Sequence, residues 1–133
     1  MKHKIKTIWS VDDDEIFLLL TSNFIKLTSY NGDYKTFTDG HYALEELYAH
    51  VDNPDNLPDL ILLDINMPMV DAWEFIETFK KISLPKKIYI YIVSSSIDPA
   101  DRKKATEYPE VEDFIEKPVN SEKLERILEN YSY

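Results

Sequence analysis

The chain has 133 residues, 44% of them hydrophobic and 30% charged, with a formal net charge of −10 and no cysteine. That length and balance suit one globular domain with a real core. They exclude a disulfide framework and thiolate metal sites. No apolar run reaches the length of a membrane span, and the acidic balance repels nucleic acid and anionic membranes. The basic start leads into a strand-like segment rather than a signal peptide, so the expected location is the cytoplasm.

In chain order, Ile5 to Val11 is a strand candidate. The acidic cluster Asp12-Asp13-Asp14-Glu15 follows it and opens a helix running from Glu15 to about Leu27, where acids suit the positive end of the dipole. Asn31-Gly32-Asp33 signals a turn before a short strand, Tyr34 to Phe37. Thr38 or Asp39 can cap a helix from about His41 to Ala49. After a proline-containing loop, Leu60 to Leu63 is purely aliphatic and reads as a buried strand. Asp64 ends it, and Pro68 cannot extend it. Asp71 can cap a helix holding Trp73, Phe75, Ile76 and Phe79. Ile88 to Val93 is a further apolar strand. Asp98-Pro99 is a helix start, with an acid at the cap and proline at the first helical position. That helix ends before Pro109, and Val111 to Ile115 is the last strand. Asn120 or Ser121 caps a final helix carrying Leu124, Ile127, Leu128 and Tyr131.

Five βα alternations predict an α/β fold: a parallel five-stranded sheet, doubly wound with helices on both faces. Right-handed crossovers bring all the strand carboxyl ends to one edge. Asp12 and Asp13 follow the first strand, Asp64 ends the third, Ser94 follows the fourth and Lys117 follows the fifth. Each has an ordinary explanation as a cap, a turn or a surface cation. Random placement would nevertheless scatter them over both edges. Three clustered carboxylates repel, and oxygen ligands without Cys or His favour a hard divalent ion, Mg²⁺ above all. A carboxylate beside such an ion can accept a phosphoryl group as an acyl phosphate. Lys117 would add positive charge, and the Ser94 hydroxyl a hydrogen bond to a phosphoryl oxygen.

The segments Val11-Asp12-Asp13-Asp14, Leu62-Leu63-Asp64-Ile65-Asn66-Met67-Pro68, Val93-Ser94-Ser95 and Glu116-Lys117-Pro118 resemble, in order and spacing, the receiver domain of two-component response regulators. The resemblance runs from Lys4 to about Tyr131. It implies a flavodoxin-like fold with strand order 2-1-3-4-5, an order that general accounts of doubly wound folds already illustrate with this family. It implies that Asp64 is the phosphoacceptor and also a metal ligand, that Asp13 ligates Mg²⁺, that Asp12 acts on the metal directly or through water, and that Asn66 offers its backbone carbonyl. It makes Ser94 and Phe114 the switch residues, Lys117 the conserved cation, and the Lys117-Pro118 bond cis.

The implied partners are a sensor histidine kinase or phosphotransfer domain and an unknown downstream protein. The face of helix four, strand five and helix five would serve output or a homodimer. The expected organisation is a single receiver domain over residues 1–133 without an effector domain. It would be a signalling phosphoacceptor, self-catalysing its phosphorylation and dephosphorylation, rather than an enzyme. Three departures from the pattern stand out. Ala72 replaces a usual glycine, and a positive φ there would strain alanine. Phe114 stands where tyrosine is frequent. Tyr108 to Glu112 replaces a small, glycine-containing segment. A Mg²⁺-dependent aspartyl phosphohydrolase is a second reading, but it needs a general acid two positions after the nucleophile, where Asn66 stands. A phosphorylation-independent interaction module is a third.

Overall fold

A computed structural model describes residues 3–96 and 98–133. The strands are β1 (Thr7–Val11), β2 (Asp33–Phe37), β3 (Leu60–Asp64), β4 (Tyr89–Ser94) and β5 (Val111–Glu116). The helices are α1 (Glu15–Lys26), α2 (Gly40–Ala49), α3 (Ala72–Phe79), α4 (Pro99–Thr106) and α5 (Ser121–Leu128), with a short 3₁₀ turn at Pro54–Asn56. The sheet is parallel throughout, in the order β2-β1-β3-β4-β5. The expected fold class and strand order are both found.

Every residue of β3 and β4 is buried. Strands covered on both faces need apolar side chains in both directions, which is why these two read as unbroken apolar runs. Trp9, Val11, Ile61, Leu63, Ile90 and Ile92 pack with α2, α3 and Ala105 of α4 on one face. Ile8, Leu60, Leu62, Tyr91 and Val93 pack with α1 and α5 on the other.

Side chains set the helix starts. Asp14, Asp39, Asp71, Asp98 and Asn120 each accept hydrogen bonds from backbone N–H groups in the first helical turn. Between Thr38 and Asp39, the structure selects Asp39; between Asn120 and Ser121, it selects Asn120. Asp64 ends β3 as expected, whereas Ser94 belongs to β4 rather than following it. β1 begins two residues later than expected, because Ile5 N–H donates to Ser132 O (2.7 Å) at the C-terminus. Tyr131 falls beyond α5, where its hydroxyl meets that of Tyr91 at 2.6 Å.

The edge strand β5 is protected against further pairing. It carries a register shift opposite Ile90 and Tyr91, and the Asp113 carboxylate accepts from the Phe114 N–H at 2.8 Å. A bulge and a charged side chain both blunt an open edge.

Two departures are now placed. Ala72 is the first residue of α3, fully buried, and its N–H donates to Ile65 O. Among the described residues, the non-glycine with positive φ is Met69 (φ 69°), so the left-handed turn lies three residues before Ala72. Alanine therefore carries no backbone strain. Tyr108 stacks on Trp73 with ring centroids 5.6 Å apart, so the unusual segment before β5 is seated by an aromatic pair.

Candidate functional site

The parallel topology delivers four groups to one edge. Asp12 follows β1, and its Oδ1 accepts from the Asp14 N–H at 2.9 Å. Asp14 in turn caps α1. The acidic run thus divides its work: Asp12 faces inward, Asp13 is exposed and Asp14 starts the helix. Asp64 closes β3 and is 6% exposed; Asp12 is 2% exposed. Carboxylate oxygens of Asp12, Asp13 and Asp64 lie within 4.8 Å of one another.

Lys117 follows β5, and its peptide bond to Pro118 is cis, as expected. Its N–H donates to Ser94 O at 2.9 Å, which ties the β4 and β5 ends together. Its Nζ stands 2.8 Å from Asp12 Oδ2 and 3.3 Å from Asp64 Oδ1. The same ammonium sits 4.1 Å from the centroid of the Phe17 ring.

Burial, reinforced by the charge of Asp12, pushes Asp64 up to about 6 against the opposing pull of Lys117. Burial also raises Asp12, although Lys117 and the Asp14 N–H favour its charged form. For Lys117, burial acts downward, but Asp12 and Asp64 outweigh it and the ammonium is held above its ordinary value. Two buried carboxylates served by one ammonium leave excess negative charge. Together with Asp13 they offer three hard oxygen donors, which fit a divalent metal ion.

Ser94 is buried at the end of β4, and its Oγ accepts from the Ser96 N–H at 3.0 Å. Ser96 Oγ donates to Asp101 on α4 at 2.6 Å. Asn66 is exposed two residues after Asp64. Phe114 lies away from the carboxylates, half-buried on β5 with the Arg102 guanidinium 4.5 Å from its ring centroid. Arg102 also pairs with Glu116 at 3.8 Å. The structure therefore gathers Asp12, Asp13, Asp64 and Lys117 into one cluster, sets Ser94 at the same sheet edge, and holds Phe114 apart. Sequence reasoning missed the contact of Phe17 with Lys117 and that of Arg102 with Phe114. Phe17 hides among the apolar residues of α1, and Arg102 among the charges of α4.

The family model described as "Response regulator receiver domain" matches residues 8–129. The chain belongs to the response regulator receiver domain family. A two-component response regulator from Cytophaga hutchinsonii superposes on this receiver with a TM-score of 0.84 at 30% identity, covering 96% of each chain. A two-component response regulator from Legionella pneumophila does so with a TM-score of 0.78 at 25% identity, covering 92% of this receiver and 94% of that chain. Among curated proteins, the sensor histidine kinase CheAY of Helicobacter pylori is 33% identical over 91 residues, or 68% of this receiver. The receiver spans only 11% of that kinase's length. Among the described residues, no helix is long and apolar enough to cross a membrane.

Proposed function

We propose that this receiver is a signalling phosphoacceptor that takes a phosphoryl group onto Asp64 from a phosphohistidine of a sensor histidine kinase or phosphotransfer domain. The observation that carries this reading is the cluster itself: two buried carboxylates and an exposed one beside a lysine ammonium, at the carboxyl edge of the sheet. In the transfer, an Asp64 carboxylate oxygen forms a bond to phosphorus while the donor's P–N bond breaks. The imidazole leaves with the bonding electron pair. Such a transfer needs positioning and charge neutralisation more than acid–base groups.

Mg²⁺ is the ion these donors suit, and when bound it neutralises phosphoryl oxygen charge. Asp13 would ligate it directly, Asp12 directly or through water, and Asp64 and the Asn66 backbone carbonyl would complete the protein's share. Lys117 meets a phosphoryl oxygen with its ammonium. Ser94 turns its hydroxyl from the Ser96 N–H towards the acceptor, and Phe114 responds on β5. The receiver catalyses only its own phosphorylation and dephosphorylation and acts in the cytoplasm.

Two surfaces suit protein partners. Along α1 and its C-cap, Ile16, Leu19, Leu20 and Leu27 are exposed, with polar Asn23 between them. This apolar seam begins beside Asp13 and Asp14, so a helix of the phosphodonor packed there brings its histidine to Asp64. The α4–β5–α5 face sets Arg102 of α4 against Phe114 and Glu116 of β5, which also carries Glu112 and Asp113. That mixed-charge face is our candidate for output contact or a homodimer.

Intact mass after incubation with Mg²⁺ and acetyl phosphate tests the reading. One phosphoryl adduct is expected, absent without metal and in Asp64→Asn. Continuous turnover of phosphomonoesters would instead support a hydrolase, and no adduct under any condition an inert interaction module.

A further inference from the structure

We infer that Phe17 is a positioning residue for Lys117, holding the ammonium at the acceptor when its carboxylate partners are engaged elsewhere. The inference rests on the phosphoacceptor reading. It begins with the local structure of α1. The Asp14 carboxylate accepts from the Phe17 N–H at 3.2 Å, so the helix cap fixes where this ring enters the fold. The Asp14 N–H is itself bound to Asp12. Ring, cap and metal-site carboxylate are therefore one connected unit, built from six consecutive residues.

The ring is 8% exposed and belongs to the core between the sheet, α1 and α5. The Lys117 ammonium lies 4.1 Å from its centroid, and the Lys117 side chain is only 17% exposed. An ammonium near an aromatic face is attracted by the ring quadrupole, more strongly as water is removed. Leucine could fill the same core volume but offers no such attraction.

Among the described residues, the other two partners of the Lys117 ammonium are Asp12 and Asp64. Both belong to the carboxylate cluster that suits a metal ion, and Asp64 is also the acceptor. When a divalent cation competes for those oxygens, their hold on the ammonium weakens. Of the three contacts, only the Phe17 ring offers no oxygen ligand to a hard cation. It therefore keeps Nζ inside the site, close to where the transferred phosphoryl oxygens arrive. Without it, a flexible four-carbon stem would carry the charge to solvent.

The test compares wild type with Phe17→Leu, Phe17→Tyr and a protein bearing trifluorinated phenylalanine at position 17. The fluorinated ring keeps its shape while losing most of its quadrupole. With Mg²⁺ and acetyl phosphate, adduct formation is expected to slow about three- to tenfold in the leucine and fluorinated proteins. It should be retained in Phe17→Tyr. Mg²⁺ affinity by calorimetry should stay near the wild-type value in all four. In metal-free protein, the Lys117 ε-methylene protons should be shifted upfield by the ring in wild type and lose that shift in Phe17→Leu. Wild-type rates in the fluorinated protein, or unshifted Lys117 protons in wild type, would overturn the inference. If wild type itself forms no adduct, the phosphoacceptor reading fails, while the proton shifts still report on the contact.

Discussion

The Lys117 ammonium stands closer to Asp12 (2.8 Å) than to Asp64 (3.3 Å). The carboxylate proposed to receive the phosphoryl group is thus the less well neutralised of the pair. Its pKa of about 6 follows from burial and the Asp12 charge outweighing the lysine.

This sets a pH dependence with a definite sign. The folded-state pKa of Asp64 lies above its ordinary value, so between about pH 4 and pH 6 the folded chain holds a proton that the unfolded chain has released. Stability present at the acid end is lost as pH rises through that window. The loss is on the order of 3 kcal/mol in metal-free protein. Asp64→Asn should remove this component and be the more stable protein at pH 7 without metal. Denaturant titrations of both proteins from pH 4 to 7 check it, read as their difference. Saturating Mg²⁺ should narrow the gap.

Met69 adopts a left-handed conformation and is highly exposed, so its side chain contributes strain without packing. Met69→Asn should stabilise the fold by about 0.5–1 kcal/mol, because asparagine tolerates that region. Met69→Val should destabilise it. Thermal unfolding of the two variants gives opposite shifts if the turn is as described.

Arg102 covers the Phe114 ring and is anchored by Glu116. Removing it in Arg102→Ala should cost about 0.5–1 kcal/mol. It should also free the ring, seen as altered Phe114 resonances before any phosphorylation. An unchanged Phe114 environment would show that the guanidinium does not hold it.

The exposed seam on α1 separates protein donors from small ones. Leu20→Lys should leave stability within about 0.5 kcal/mol, since the side chain faces solvent. Its adduct formation with acetyl phosphate should match wild type. Transfer from a phosphorylated histidine kinase should fall about tenfold, the cost of losing one apolar anchor.

Much of this was legible in the sequence. Leu60 to Leu63 and Ile88 to Val93 announced central strands because both faces of the sheet are covered. Asp12, Asp13, Asp64 and Lys117 could be placed at one edge because parallel topology sends every strand end there. What escaped was set by contacts between distant segments. Whether Ala72 or Met69 takes the positive φ depends on how the loop closes onto α3. Tyr131 leaves its helix because its hydroxyl meets Tyr91, 40 residues away. Phe17 and Arg102 gain their roles only from the side chains that approach them.

The central claim is that Asp64 itself carries the phosphoryl group. Borohydride reduction of the adduct, followed by peptide mapping, tests this most directly, because an acyl phosphate is reduced to the alcohol at the residue that bore it. Homoserine at position 64, formed only with Mg²⁺ and phosphodonor, is the predicted result. Homoserine at position 12 or 13, with Asp64 unmodified, would contradict the account.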